Sequence, residues 1–131
     1  MNTKILMIAS CILFAIMGVT CSFLPAEILT FLKLGNPEAL VLIVQVLGAL
    51  NFGFAILNWT AKANLIGGIY SKPVSLGNSM HFFMVFIILI KYFLKHTEFT
   101  MMIIPIAIYG FFAIAFGLVS FGQHEFKKGS T

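Results

Sequence analysis

The sequence predicts an all-α polytopic membrane protein: an antiparallel bundle of four transmembrane helices with a short interfacial helix after the first span, forming one membrane domain over residues 1–131. Composition is the first reason. Of 131 residues, 60% are hydrophobic and 9% charged, with 15 Phe and a mean hydropathy of +1.05, whereas globular chains are about 45–50% apolar and about 25% charged. Eight lysines and four glutamates, with no Arg or Asp, cannot cover a water-facing surface of this size. The second reason is segmentation. Four apolar runs each approach the roughly 20 residues that cross a hydrocarbon core of about 30 Å, and the residues between them carry Pro, Gly, Asn and most of the charge. The third is that all four acids fall outside those runs.

The first span is expected over residues 5–24, after Lys4. Ile8-Ala9-Ser10-Cys11 resembles a lipoprotein cleavage box, but too few apolar residues precede Cys11 for a signal core and the apolar run continues past it, so a retained span is expected. Cys11 and Cys21 lie ten residues apart in this helix, which separates their backbones by about 15 Å and puts a mutual disulfide out of reach. Pro25 to Leu34 then reads as the interfacial helix: Pro in the first turn, Glu27 at the positive dipole end, Lys33 in the last turn, and Gly35 as a left-handed stop. At about ten residues it is too short to span. Asn36-Pro37-Glu38 supplies a cap, a proline and an acid before the second span, residues 39–59, which closes on Trp59 at headgroup level.

Thr60 to Ser75, with Lys62, Asn64, Gly67-Gly68, Lys72 and Pro73, is expected to be a loop. The third span follows over residues 76–94, with Lys91 near its end able to snorkel outward. Lys95-His96-Thr97-Glu98 turns the chain into the fourth span, residues 99–121, and Gln123 to Thr131 form a polar tail. The side bearing the N-terminus, the second loop and the tail holds five lysines and Glu125 (net +4), against three lysines and three glutamates (net 0) on the other side. Both termini are therefore expected in the cytoplasm, in a plasma or inner membrane. The lysines are scattered singly at span ends, so the positive charge is not a nucleic-acid footprint, and the expected partner is the lipid bilayer.

Polar side chains inside spans are where function is sought, because hydrocarbon tolerates them only with partners or a cavity. Val44, Gly48, Asn51, Ala55 and Asn58 recur at spacings of 4, 3, 4 and 3, placing amides and small residues on one inward face that Lys62 continues. On the third span His81, Val85, Ile88 and Tyr92 share a face, with Asn78 and Ser79 just outside it. Rise per residue places Asn51 and Tyr109 both near the midplane, where they could pair. Such amides also serve as interhelical glue worth about 0.6 kcal/mol, and His81 suits either a structural hydrogen bond or proton handling. A haem would need a second axial histidine level with His81, and His124 falls outside the hydrocarbon, so haem is not expected; nor does any cluster have the spacing of metal ligands. The absence of a carboxylate inside the spans argues against proton-coupled transport. No Gly-x-Ser-x-Gly elbow or glycine-rich phosphate loop is present.

The order of features resembles the small four-helix membrane proteins of the DoxX-like superfamily: a first span, Leu24-Pro25-Ala26 opening a short helix that ends at Gly35, Gly48-Ala49-Leu50-Asn51 in the second span, and Asn78-Ser79-Met80-His81 opening the third. The resemblance implies a four-helix membrane bundle and roles such as subunits of quinone-linked oxidoreductases or helpers in membrane-protein assembly. Members often carry an acid near the position that Asn51 occupies here. The expected function is a non-enzymatic accessory or binding subunit that holds a small lipophilic ligand, a quinone or lipid, through Asn51, Asn58, His81 and Tyr109, with Gly48 and Ala55 making room. Two alternatives stay open. One is a small oligomeric channel or transporter, whose outward half would offer little beyond Gln45, Thr20 and Cys21. The other is a membrane enzyme using His81. Ala49/Gly53 and Ala113/Gly117 have the small-xxx-small spacing of helix interfaces, and Ala49 and Gly53 point about 165° from the Asn51 and Ala55 direction. Either pair could join copies of the chain, or join it to a larger membrane complex.

Overall fold

A computed structural model describes residues 2–64 and 71–122. Gly67-Gly68 and the tail with His124, Glu125, Lys127 and Lys128 lie outside the described residues. Among the described residues, five α-helices and one 3-10 turn follow in order: α1 (Thr3–Phe23), α2 (Pro25–Phe31), α3 (Glu38–Ala61), α4 (Lys72–Lys95), the turn Thr100–Met102 and α5 (Ile103–Phe121). The α1, α3 and α4 helices, together with Thr100–Phe121, are long and apolar enough to cross a membrane, as expected of an integral membrane protein. The chain divides into two compact units, Met1–Ala63 and Asn64–Thr131.

In the first unit α1 packs along α3, with α2 touching both. Asn2 caps α1, its side-chain oxygen accepting from the Lys4 N–H at 3.1 Å. The buried residues of α1, Met7, Ser10, Phe14, Gly18 and Cys21, recur every three to four positions and form one stripe that Leu6 extends. Its contacts with α3 run in opposite directions along the two helices: Ser10 meets Asn58, whereas Gly18 lies against Phe52 and Gly48. The pair is therefore antiparallel. At its tightest point a Cβ on Gly48 would fall 2.7 Å from the Ser22 backbone nitrogen, and one on Gly18 would fall 3.2 Å from the Gly48 carbonyl. Only glycine permits this approach.

Local chemistry shifts two of the expected boundaries here. The interfacial helix ends at Phe31, three residues short of Leu34, because the chain reverses at Lys33 (φ 58°) before it reaches Gly35 (φ 68°). Lys33 N–H donates to the Thr30 carbonyl and Leu34 N–H to the Leu29 carbonyl, both at 3.0 Å. This double closure is a Schellman stop with lysine in the position that glycine usually fills. Asn36 does not cap α3. Pro37 takes the N-cap position, and the Asn36 amide turns back to α2 beside Thr30.

The second unit pairs α4 with α5, again antiparallel: Phe82 meets Phe112 and Phe116, and Phe86 meets Gly110. The expected loop over Thr60 to Ser75 is too long at its end, because α4 already begins at Lys72. Pro73 reads as a loop residue in sequence, yet in the first helical turn its missing N–H costs nothing, and there it starts the helix. The fourth span opens with the 3-10 turn and becomes α-helical at Ile103. At the turn between the helices, His96 N–H caps α4 on the Tyr92 and Phe93 carbonyls, and His96 Nδ1 lies 3.4 Å from Glu98 Oε1.

Candidate functional site

The α3 helix keeps the face expected of it. Its buried residues are Gly48, Asn51, Ala55, Asn58 and Ala61, while Leu42, Leu50 and Ile56 are each about 60% exposed and form the outer surface. The stripe follows from the spacing alone, since positions three and four apart stack on one side of a helix. Within it each residue has a distinct part. Gly48 leaves no space for a ligand, because α1 fills the position that its side chain would occupy.

Asn58 is fully buried and donates from Nδ2 to Ser10 Oγ at 2.9 Å. Ser10 Oγ in turn donates to the Met7 carbonyl at 3.0 Å, so amide, hydroxyl and carbonyl form a chain joining α3 to α1. The sequence alone does not single out Ser10 as this partner. Asn51 is 2% exposed. Its Nδ2 donates to the Leu47 carbonyl at 2.8 Å on its own helix, and its Oδ1 is buried with no hydrogen-bond partner among the described residues. A buried acceptor left without a donor costs on the order of 1–3 kcal/mol. Asn51 and Tyr109, expected as a pair, belong to different units, and each is described within its own.

In the second unit the buried side of α4 is Ser75, Asn78 and Phe82, a residue's rotation away from the expected His81, Val85, Ile88 and Tyr92 face. Ile88 is 58% and Tyr92 44% exposed, so the lower half of that face is outward. The reason is aromatic packing. Phe82, fully buried, stacks on Phe112 at 4.8 Å and Phe116 at 5.6 Å between ring centroids, and three large rings fix the rotation more strongly than one imidazole does. The spacing of Ser75, Asn78 and Phe82, three then four, was the available signal. His81 is half-buried beside this stack, its ring 6.1 Å from that of Tyr109, and Tyr109 is 5% exposed. His81 and Tyr109 are therefore brought together. Asn78 Nδ2 donates to the Val74 carbonyl at 2.9 Å, and Ser75 Oγ to the Lys72 carbonyl at 3.0 Å.

Three further expectations meet the structure here. Gln45 is exposed, on the outer side of α3, and so lies outside any interior polar path. Ala113 is buried, and a Cβ on Gly117 would stand 4.0 Å from Ser79 Oγ, so this small pair faces α4 inside its own hairpin; Ala49 and Gly53 are exposed. Cys11 and Cys21 are both free thiols. Among the described residues no group of three His, Cys, Asp or Glu side chains comes together. Comparison with known proteins finds no matching family model, no matching curated protein and no matching solved structure.

Proposed function

We propose that the chain is a polytopic membrane protein of the DoxX-like kind, an antiparallel four-helix bundle in a plasma or inner membrane with both termini in the cytoplasm. In this reading it is a non-enzymatic accessory subunit that holds a small lipophilic ligand on interior polar side chains. The observation that carries it is Asn51 Oδ1, an acceptor inside an apolar span with no donor among the described residues. Asn58 is committed to Ser10 and Gly48 to the helix crossing, which leaves Asn51 as the recognising group in the first unit and Ala55 as the small residue beside it. His81 and Tyr109 are the corresponding polar pair of the second unit.

The free atom also selects the ligand. An amide oxygen accepts, so its complement must donate. A lipid hydroxyl or a quinol offers an O–H, whereas an oxidised quinone offers only carbonyl acceptors. The test is thermal unfolding of the purified protein with a short-chain ubiquinol or the matching ubiquinone added. The quinol raises the Tm of the wild type, leaves that of Asn51→Leu unmoved, and outperforms the quinone. Equal shifts in wild type and variant, or no shift in either, overturn the proposal.

A further inference from the structure

The turn between α4 and α5 gathers three rings that the interior account leaves out. Tyr92 and His96 stand four residues apart at the end of α4, and so on one side of it, with ring centroids 4.7 Å apart. The chain then doubles back. Phe99 N–H donates to the His96 carbonyl at 3.1 Å, which returns the Phe99 ring to 6.2 Å from that of His96 and 6.5 Å from that of Tyr92. The three planes are tilted against one another by 34° to 63° and do not form a flat stack.

These rings are accessible and carry a counter-charge. Tyr92 is 44% and Phe99 42% exposed, and Glu98 Oε1 lies 3.4 Å from His96 Nδ1 on a side chain that is 65% exposed. Because no two of the three centroids are more than 6.5 Å apart, a single cation can stand within about 6 Å of each, the reach of a cation–π contact. The chemistry also selects the kind of cation. A primary ammonium brings N–H donors that each need an acceptor, and the cluster offers aromatic faces with a single carboxylate. A quaternary ammonium donates no hydrogen bond and packs its methyl groups directly on rings.

We infer that this turn binds a quaternary ammonium group, with Tyr92 and Phe99 as the π faces, His96 as the third wall and Glu98 as the counter-charge. Lys91 and Lys95 each precede one of the rings by a single position and are exposed. Two lysines repel a bare cation and attract a phosphate, so the source that fits is a phosphocholine headgroup, whose phosphate and trimethylammonium complement both sets of charges. The turn also joins two helices long and apolar enough to cross a membrane, which places it where headgroups are met. The inference rests on this turn alone and not on any ligand at Asn51.

Saturation-transfer NMR on the full-length protein in dodecyl maltoside, a detergent without a quaternary ammonium, tests it. Irradiation of the aromatic protons should transfer to the N-methyl protons of dihexanoyl phosphocholine, and not to the methyl protons of the neutral tert-butyl isostere of choline. In titrations read the same way, Tyr92→Leu and Phe99→Leu should each raise the dissociation constant about 2- to 5-fold, the worth of one exposed cation–π contact. Glu98→Gln should raise it as well, whereas Phe111→Leu, an exposed ring elsewhere on α5, should not. Free choline distinguishes the source: weaker transfer than from the phospholipid supports the headgroup, and equal transfer overturns it in favour of a soluble quaternary ammonium. Equal transfer to the neutral isostere, or a wild-type dissociation constant in both Tyr92→Leu and Phe99→Leu, overturns the site itself.

Discussion

Lys33 holds a left-handed backbone conformation with φ 58°, a region that costs a residue with a Cβ roughly 1 kcal/mol relative to glycine. Its N–H and that of Leu34 close α2, so two backbone hydrogen bonds retain the strain. Lys33→Gly should therefore raise unfolding stability in detergent by about 0.5–1 kcal/mol, read as a higher Tm at unchanged helicity; a lower Tm would show that the side chain itself matters. The bond from Asn58 to Ser10 is the other residue-level claim. A double-mutant cycle with Ser10→Ala and Asn58→Ala should return a coupling of about 0.6 kcal/mol or more, and additive single effects would dissolve the link. Sequence pattern reached these residues unequally. Asn58 could be placed on the inner face because helical spacing is geometric, but its partner could not, since which α1 residue stands opposite depends on how deeply the Gly18 and Gly48 contact lets the helices approach.

Between elements, the α1–α3 crossing is set by glycine and the α4–α5 crossing by aromatic rings. A Cβ at Gly48 would lie 2.7 Å from the Ser22 nitrogen and 3.0 Å from the Cys21 carbonyl carbon, both backbone atoms that cannot turn aside. Gly48→Ala should thus destabilise the protein by about 1–3 kcal/mol. Gly53→Ala, with open space around it, should leave the protein as stable or up to about 1 kcal/mol more so through helix propensity. Chemical unfolding of both variants in one detergent checks the contrast, and equal effects would contradict the crossing. The α3 face was legible from Gly48, Asn51, Ala55 and Asn58 because small and polar residues mark a buried stripe against an exposed apolar remainder. The α4 face was harder to read because Phe is at home against lipid and against protein alike: Phe82 and Phe83 are indistinguishable by type, and only the facing Phe112 and Phe116 decide that the first is buried and the second 50% exposed.

At the scale of the whole molecule, scarcity of charge determines what the interior can do. The three glutamates among the described residues are Glu27 and Glu38 in first helical turns and Glu98 beside His96, all at helix ends. Away from the charges toward their ends, Lys4, Glu38, Lys72, Lys91 and Lys95, the long helices carry amides, hydroxyls and one imidazole, groups that recognise by hydrogen bonding without holding a fixed charge. In the proposed reading these groups take up a neutral lipophilic molecule reversibly. The four helices long and apolar enough to cross a membrane were legible because apolar length is the strongest signal a sequence carries. The identity of the proposed ligand was not, because an unpartnered acceptor at Asn51 specifies a donor and not the molecule that brings it. Native mass spectrometry of gently extracted protein, wild type beside Asn51→Leu, addresses this directly. The account predicts a noncovalent hydroxyl-bearing lipid or quinol adduct on the wild type that is lost from the variant at unchanged helical content. Wild-type protein without an adduct, or the same adduct on both proteins, would contradict it.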